Sequence, residues 1–282
     1  MTVETLAWGY GLIEGPRYHP DGGLFFSDVL KGGVYRLAPD GSTEVVVPRR
    51  RGVGGIALHA DGGLVISGRN VCHVRDGQTR VLFERADIGG FNDLFTDVAG
   101  RIYTGSMRDD PFRIEGGERK AGEAYRINAE GDAIELYAGV GLTNGIGISP
   151  DRRSLYHVDS VAGVLVHPID ESGEVDGKHG ELFARVSPGI PDGLVVDEDG
   201  GVWVAVYGGG CVTRFTATGE LDRQMPVPAQ AVTSLCFVGP DRRDLVVVTA
   251  DNTEHPDRGG TIFRIPADEV GATGLAAPLA RV

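Results

Sequence analysis

Tyr18-His19-Pro20-Asp21-Gly22-Gly23-Leu24 returns later in the chain as Leu58-His59-Ala60-Asp61-Gly62-Gly63-Leu64 and again as Val196-Asp197-Glu198-Asp199-Gly200-Gly201-Val202. Two looser copies, Ile148-Ser149-Pro150-Asp151-Arg152-Arg153-Ser154 and Val238-Gly239-Pro240-Asp241-Arg242-Arg243-Asp244, keep the aspartate. A sixth, Thr96-Asp97-Val98-Ala99-Gly100-Arg101-Ile102, carries alanine in its place. Asp-Gly between two short apolar runs is a strong hairpin signal. The runs here, such as Leu24-Phe25-Phe26-Ser27 and Val202-Trp203-Val204-Ala205-Val206, are of strand length rather than helix length. Each copy then continues into another strand, such as Val34-Tyr35-Arg36-Leu37 or Thr261-Ile262-Phe263-Arg264-Ile265, and another turn signal. Six repeats of four strands predict an all-β, six-bladed β-propeller over residues 1–282, read as one domain. The strand-like run Val3 to Trp8 precedes the first copy and is expected to complete the last blade and close the ring. No amphipathic helix is expected.

Composition agrees with a turn-rich fold and narrows the partners. Glycine makes up 44 of 282 residues, about twice its usual share of roughly 7%. The formal charge is −13, and a surface of that sign repels phosphate backbones, which argues against nucleic acid. No apolar run is long enough to cross a membrane as a helix. The N-terminus has neither a basic region nor an apolar stretch of signal-peptide type. Cys72, Cys211 and Cys236 are odd in number and far apart, so they read as free thiols of a reducing, cytoplasmic protein. A monomer or small homo-oligomer is expected.

The alignment of copies also locates chemistry. Seven residues before each turn aspartate (or Ala99) stand Glu14, Gly54, Asn92, Asn144, Asp192 and Ser234. In a propeller the first strand of each blade lines the central channel, so these six meet around the axis at one depth. Four of them, Glu14, Asn92, Asn144 and Asp192, carry a carboxylate or amide oxygen. Two carboxylates at one point repel unless a counter-ion joins them. A hard divalent cation resolves this with oxygen ligands, and the absence of His and Cys from the ring argues against a dedicated zinc cage. Taken singly, Asn-Gly and Asp-Gly are turn words; four oxygens in one register of a repeat are not explained that way.

At these residues the sequence resembles the senescence-marker-protein/gluconolactonase/luciferin-regenerating-enzyme family. The resemblance is carried by Glu14-Gly15-Pro16, Phe91-Asn92-Asp93, Tyr103-Thr104-Gly105-Ser106-Met107, Thr143-Asn144-Gly145-Ile146, His157-Val158-Asp159-Ser160, Pro191-Asp192-Gly193-Leu194 and Gly259-Gly260-Thr261-Ile262-Phe263. It implies one divalent ion in the channel held by Glu14, Asn144 and Asp192, with Asn92 beside it and touching ion or substrate. Calcium is the first expectation, with zinc, manganese, magnesium or iron as alternatives. The implied activity is hydrolysis of a small-molecule lactone or related ester, with Asp192 as the candidate base and Asp110 as a substrate contact. Two ways of activating water stay open: proton transfer to Asp192, or attack by hydroxide held on the ion. Two departures from the family pattern stand out. The sugar-gripping arginine two residues before Asn92 is replaced by Gly90, and Asn-Asp-Gly becomes Asn92-Asp93-Leu94. Gly90 leaves space where the arginine would lie, and Leu94 adds apolar bulk if it faces the mouth rather than the core; together they favour a less hydroxylated, more apolar substrate. A phosphotriesterase-like hydrolase, a condensing enzyme of the same fold and a non-catalytic metal-bearing propeller are the rival readings.

Other motifs add little. No GxSxG, HExxH, GxGxxG or Walker sequence is present. Asp197 and Asp199 read as hairpin residues rather than a calcium loop, and Arg49-Arg50-Arg51 as a solvated loop. His157 is left between core and channel.

Overall fold

A computed structural model describes residues 1–109, 120–177 and 180–282. It shows six four-stranded antiparallel sheets. The innermost strands are Ile13–Tyr18, Ile56–Leu58, Gly90–Thr96, Thr143–Ile148, Ile190–Val196 and Val232–Val238, and they define blades 1 to 6. The fold is the six-bladed β-propeller expected from the repeats. The N-terminal strand is Glu4–Tyr10, shifted slightly from the expected run, and it pairs with Gly260–Ile265 as the outer strand of blade 6. First and last segments of the chain thus share one sheet, and the ring is closed. The only helical pieces among the described residues are the short turns Pro256–Arg258 and Ala267–Val270.

The repeated turn works as its chemistry dictates. Asp21 accepts the Gly23 amide at 2.9 Å, and Gly22 takes a left-handed φ of 93°. Blades 4 and 6 place Arg152 and Arg242 at that same left-handed position, φ 62° and 52°. A side chain there costs on the order of 1 kcal/mol. Asp197 is structural: fully buried, it accepts the Trp203 indole at 2.8 Å, the Arg214 guanidinium at 2.8 Å and the Gly201 amide at 2.7 Å.

Packing lies between blades. Trp203, Val212, Leu235, Phe237, Val247 and Phe263 join blades 5 and 6 in one apolar cluster. The C-terminal segment crosses the face that carries the Asp-Gly turns. Gly274 donates to the Arg242 carbonyl at 2.8 Å, Ala280 to Leu58 at 2.8 Å and Arg281 to Gly100 at 2.9 Å. Between these anchors Leu275 to Pro278 floor an axial cavity of about 1370 Å³.

His157 is fully buried and belongs to the core behind blade 4. Its ring nitrogens pair with the Tyr137 hydroxyl at 2.8 Å and the Thr143 hydroxyl at 2.7 Å. Burial, with the charge of His167 adding to it, pushes its pKa down to about 3. The unfolded chain therefore takes up a proton below about pH 6.5 that the folded chain refuses, and stability falls with pH over that window. From pH 6.5 to 5 the loss is about 2 kcal/mol. Urea unfolding at pH 7 and pH 5 should show His157→Asn losing less than the parent by about that amount; equal losses would mean that His157 does not carry the pH dependence.

Candidate functional site

The ring positions sit at irregularities that recur from blade to blade. Pairing between first and second strands slips just after Glu14, across Asn92, across Asn144, across Asp192 and just before Ser234. A bulge inserts a residue and re-aims side chains. The glycines that follow Asn144 and Asp192 are therefore not turn residues. A Cβ on Gly145 would collide with the main chain of Leu194, and one on Gly193 would lie 2.7 Å from the Ser234 Cα. These glycines let adjacent inner strands approach closely. In blade 3 the equivalent residue is Asp93, so the same local geometry brings a third carboxylate toward the axis.

Glu14, Asn144 and Asp192 are all buried, and Asn92 is partly so. The Asn92 amide nitrogen donates to the Asn144 side-chain oxygen at 2.7 Å and to the Thr143 carbonyl at 2.8 Å. The Asn144 nitrogen donates to Ser160 Oγ at 2.9 Å, and Ser160 donates to the Pro191 carbonyl at 2.6 Å. This chain fixes which way both amides face, because a flipped Asn92 would set its oxygen against two acceptors. Gly54 completes the ring on the other side. A Cβ there would overlap the Asn92 side-chain oxygen, so Asn92 fills the space that blade 2 leaves.

The electrostatics are those of a carboxylate cluster in which, among the described residues, only Asp93 feels a nearby cation. Burial, the charge of Asp192 and that of Asp93 raise the Glu14 carboxyl well above its ordinary range. Burial and then Asp93 do the same to Asp192. Asp93, also raised by burial, is pushed up to about 6, with Arg17 pulling the other way. Glu14 accepts one long hydrogen bond, from the Gly15 amide at 3.3 Å. Among the described residues nothing donates to Asp192, and no Lys, Arg or His pairs with either carboxylate. Burying like charges unpaired costs several kcal/mol, so the donor set fits a hard divalent cation. Among the described residues no three His, Cys, Asp or Glu side chains gather as a metal cage; the ring offers two carboxylates and two amides.

Asp110 lies outside the described residues. Leu94 does not face the mouth: it is 1% exposed and packs in the cluster between blades 2 and 3. Nor is the space beside Gly90 open, because a Cβ there would lie 2.8 Å from the Gly68 carbonyl oxygen. The apolar surface expected from Leu94 comes instead from Ile190 and Tyr207, which pair at the ring end of blade 5 and are 46% and 39% exposed. Asp93, Arg17 and Ser160 were not assigned roles by the sequence pattern. The departure of Asp93 from the glycine register was the available signal for the first.

Residues 12–251 match the SMP-30/gluconolactonase/LRE-like region, and the chain belongs to that family. It is 30% identical to pentonolactonase XacC of Haloferax volcanii, over 93% of this chain and 92% of that one. It is 31% identical to 6-deoxy-6-sulfogluconolactonase of Pseudomonas putida, over 91% and 90%. A calcium-binding protein, regucalcin, from Agrobacterium tumefaciens superposes with a TM-score of 0.86 at 25% identity, over 100% of this chain and 98% of that one.

Proposed function

We propose that this propeller is a divalent-metal-dependent hydrolase that opens a lactone, working as one unit of residues 1–282 in the cytoplasm, which suits its three free cysteines. The observation that carries the reading is the pair Glu14 and Asp192, buried together with no cation among the described residues to neutralise them. Relatives named as lactonases and a neighbour named as calcium-binding support it, with calcium the first candidate ion. Glu14, Asn144 and Asp192 would hold the ion, with Asn92 fixing the Asn144 amide. When bound, a divalent cation polarises an acyl carbonyl and stabilises charge developing on its oxygen.

The chain's own residues do the rest. Asp192, with no donor among the described residues, has an oxygen available to take the proton of an attacking water. The Ser160 hydroxyl holds the Asn144 nitrogen away from the axis, so the amide oxygen faces inward. Burial of the ring limits competing water and strengthens each interaction there. The floor formed by Leu275 to Pro278 leaves substrate to enter from the opposite mouth. Acid release measured at constant pH on a panel of γ- and δ-lactones, with spontaneous opening subtracted, tests the activity. Opening of at least one lactone far above background is expected, and a blank panel would overturn the reading.

A further inference from the structure

The side of the mouth formed by blades 2 and 3 carries a cation that the ring chemistry does not use. Gly68 and Phe91 bridge the two blades, with the Phe91 amide donating to the Gly68 carbonyl at 2.7 Å and the Gly68 amide to Phe91 at 3.1 Å. Arg69 follows directly. Its Cα lies 3.5 Å from where a Gly90 Cβ would stand, and Gly90 precedes Asn92 by two residues, about 7 Å along the strand. Arg69 is exposed, and among the described residues its guanidinium makes no hydrogen bond or ion pair.

Register places that position at the same level of its blade as Ser160. Ile56 pairs with Ile66 and Ile146 with His157, each first partner standing two residues past its ring position. Three residues further on come Arg69 in blade 2 and Ser160 in blade 4. Ser160 reaches the ring, bonding to Asn144 in its own blade and to Pro191 in the next. Of the six positions so related, Val29, Arg69, Met107, Ser160, Tyr207 and Thr249, only Arg69 is charged. In its own blade the ring residue is Gly54, so blade 2 sends no side chain of its own to the ring, and the Asn92 oxygen of blade 3 occupies that space.

Neighbouring charges favour an anion. Arg51, also exposed and without a partner among the described residues, lies with its carbonyl oxygen 3.5 Å from where a Gly68 Cβ would stand. Among the described residues two acidic groups on this side are paired with cations: Arg85 and Arg108 hold Asp87 at 2.7 and 2.6 Å, and Arg108 also pairs with Glu123, whereas Asp109 accepts only the Lys120 amide at 2.8 Å and exposed Glu84 has no partner. An unpaired guanidinium is a planar fork suited to an oxo-anion.

We propose that Arg69 is a specificity-determining residue: it binds an anionic oxo-acid substituent of the substrate at the mouth, while the ring acts on the substrate's acyl group. The proposal rests on the lactonase reading for the reacting group and on geometry for the grip. The test compares 5-oxotetrahydrofuran-2-carboxylate with its carboxamide, in the parent and in Arg69→Gln. The parent should favour the carboxylate at least tenfold in kcat/KM. The variant should lower that preference about 10- to 100-fold, the range of a charge-assisted hydrogen bond, mostly through KM because the contact is remote from the reacting carbonyl. A preference in Arg69→Gln within twofold of the parent would overturn the proposal. Should neither compound be opened by either protein, calorimetry with tetrahydrofuran-2-carboxylate decides. Binding at least tenfold tighter to the parent upholds Arg69 and smaller differences remove it, while the lactone panel decides the lactonase reading separately.

Discussion

Asp192→Asn is expected to lower kcat for lactone opening by about 10²- to 10⁴-fold, the usual contribution of a positioned general base. The amide keeps the shape of the side chain and an oxygen toward the axis, so the fold survives. What disappears is a negative charge, on the ring carboxylate to which no group among the described residues donates. The buried carboxyl has Asp93 and Glu14 as neighbours and no paired cation among the described residues, so the loss also relieves repulsion. Rates should be measured at saturating divalent ion, to separate proton transfer from weakened binding. A variant that keeps its parent's kcat under those conditions would show that water is activated without Asp192.

Glu14→Gln is expected to move metal affinity and bare stability in opposite directions. One fewer charge in the ring should weaken divalent-ion binding by 10-fold or more. The chelated variant should nonetheless be more stable than the chelated parent, by about 1–2 kcal/mol, because a buried carboxylate repelled by Asp192 and Asp93 has been neutralised. Denaturant unfolding with and without ion reads both effects. A residue there only for packing would show no such reversal; a chelated variant less stable than the chelated parent would contradict the assignment of Glu14 to an anionic, cation-seeking site.

The fold was legible because one turn phrase occurs six times, and because strand-length flanks leave few architectures that repeat in that way. The same register brought Glu14, Asn144 and Asp192 to one place, since equivalent residues of a rotationally repeated unit meet on the axis. Asn92 arrives there too, but its amide nitrogen is committed to Asn144 and Thr143, a detail set by side-chain orientation rather than by spacing. Local words misled where tertiary contact overrides them. Asn144-Gly145 and Asp192-Gly193 spell turns, yet they are bulged inner strands whose glycines admit the next blade. Leu94 looked available to the mouth, but the slip in pairing between Phe91 and Leu94 turns it into the core. Arg69 gave no periodic signal: its relation to Gly90 depends on a bridge between neighbouring blades.

The central claim is that a single divalent ion in the Glu14–Asn144–Asp192 ring is required for lactone opening. Its most direct test is a titration. Exhaustively chelated protein, with metal content set by elemental analysis, is given calcium or another divalent ion in steps while the initial rate on one opened lactone is followed. The rate should start near background, rise with bound ion and level off at one ion per chain in the parent, and fail to rise along that line in Glu14→Gln. Full activity in metal-free protein would contradict the account.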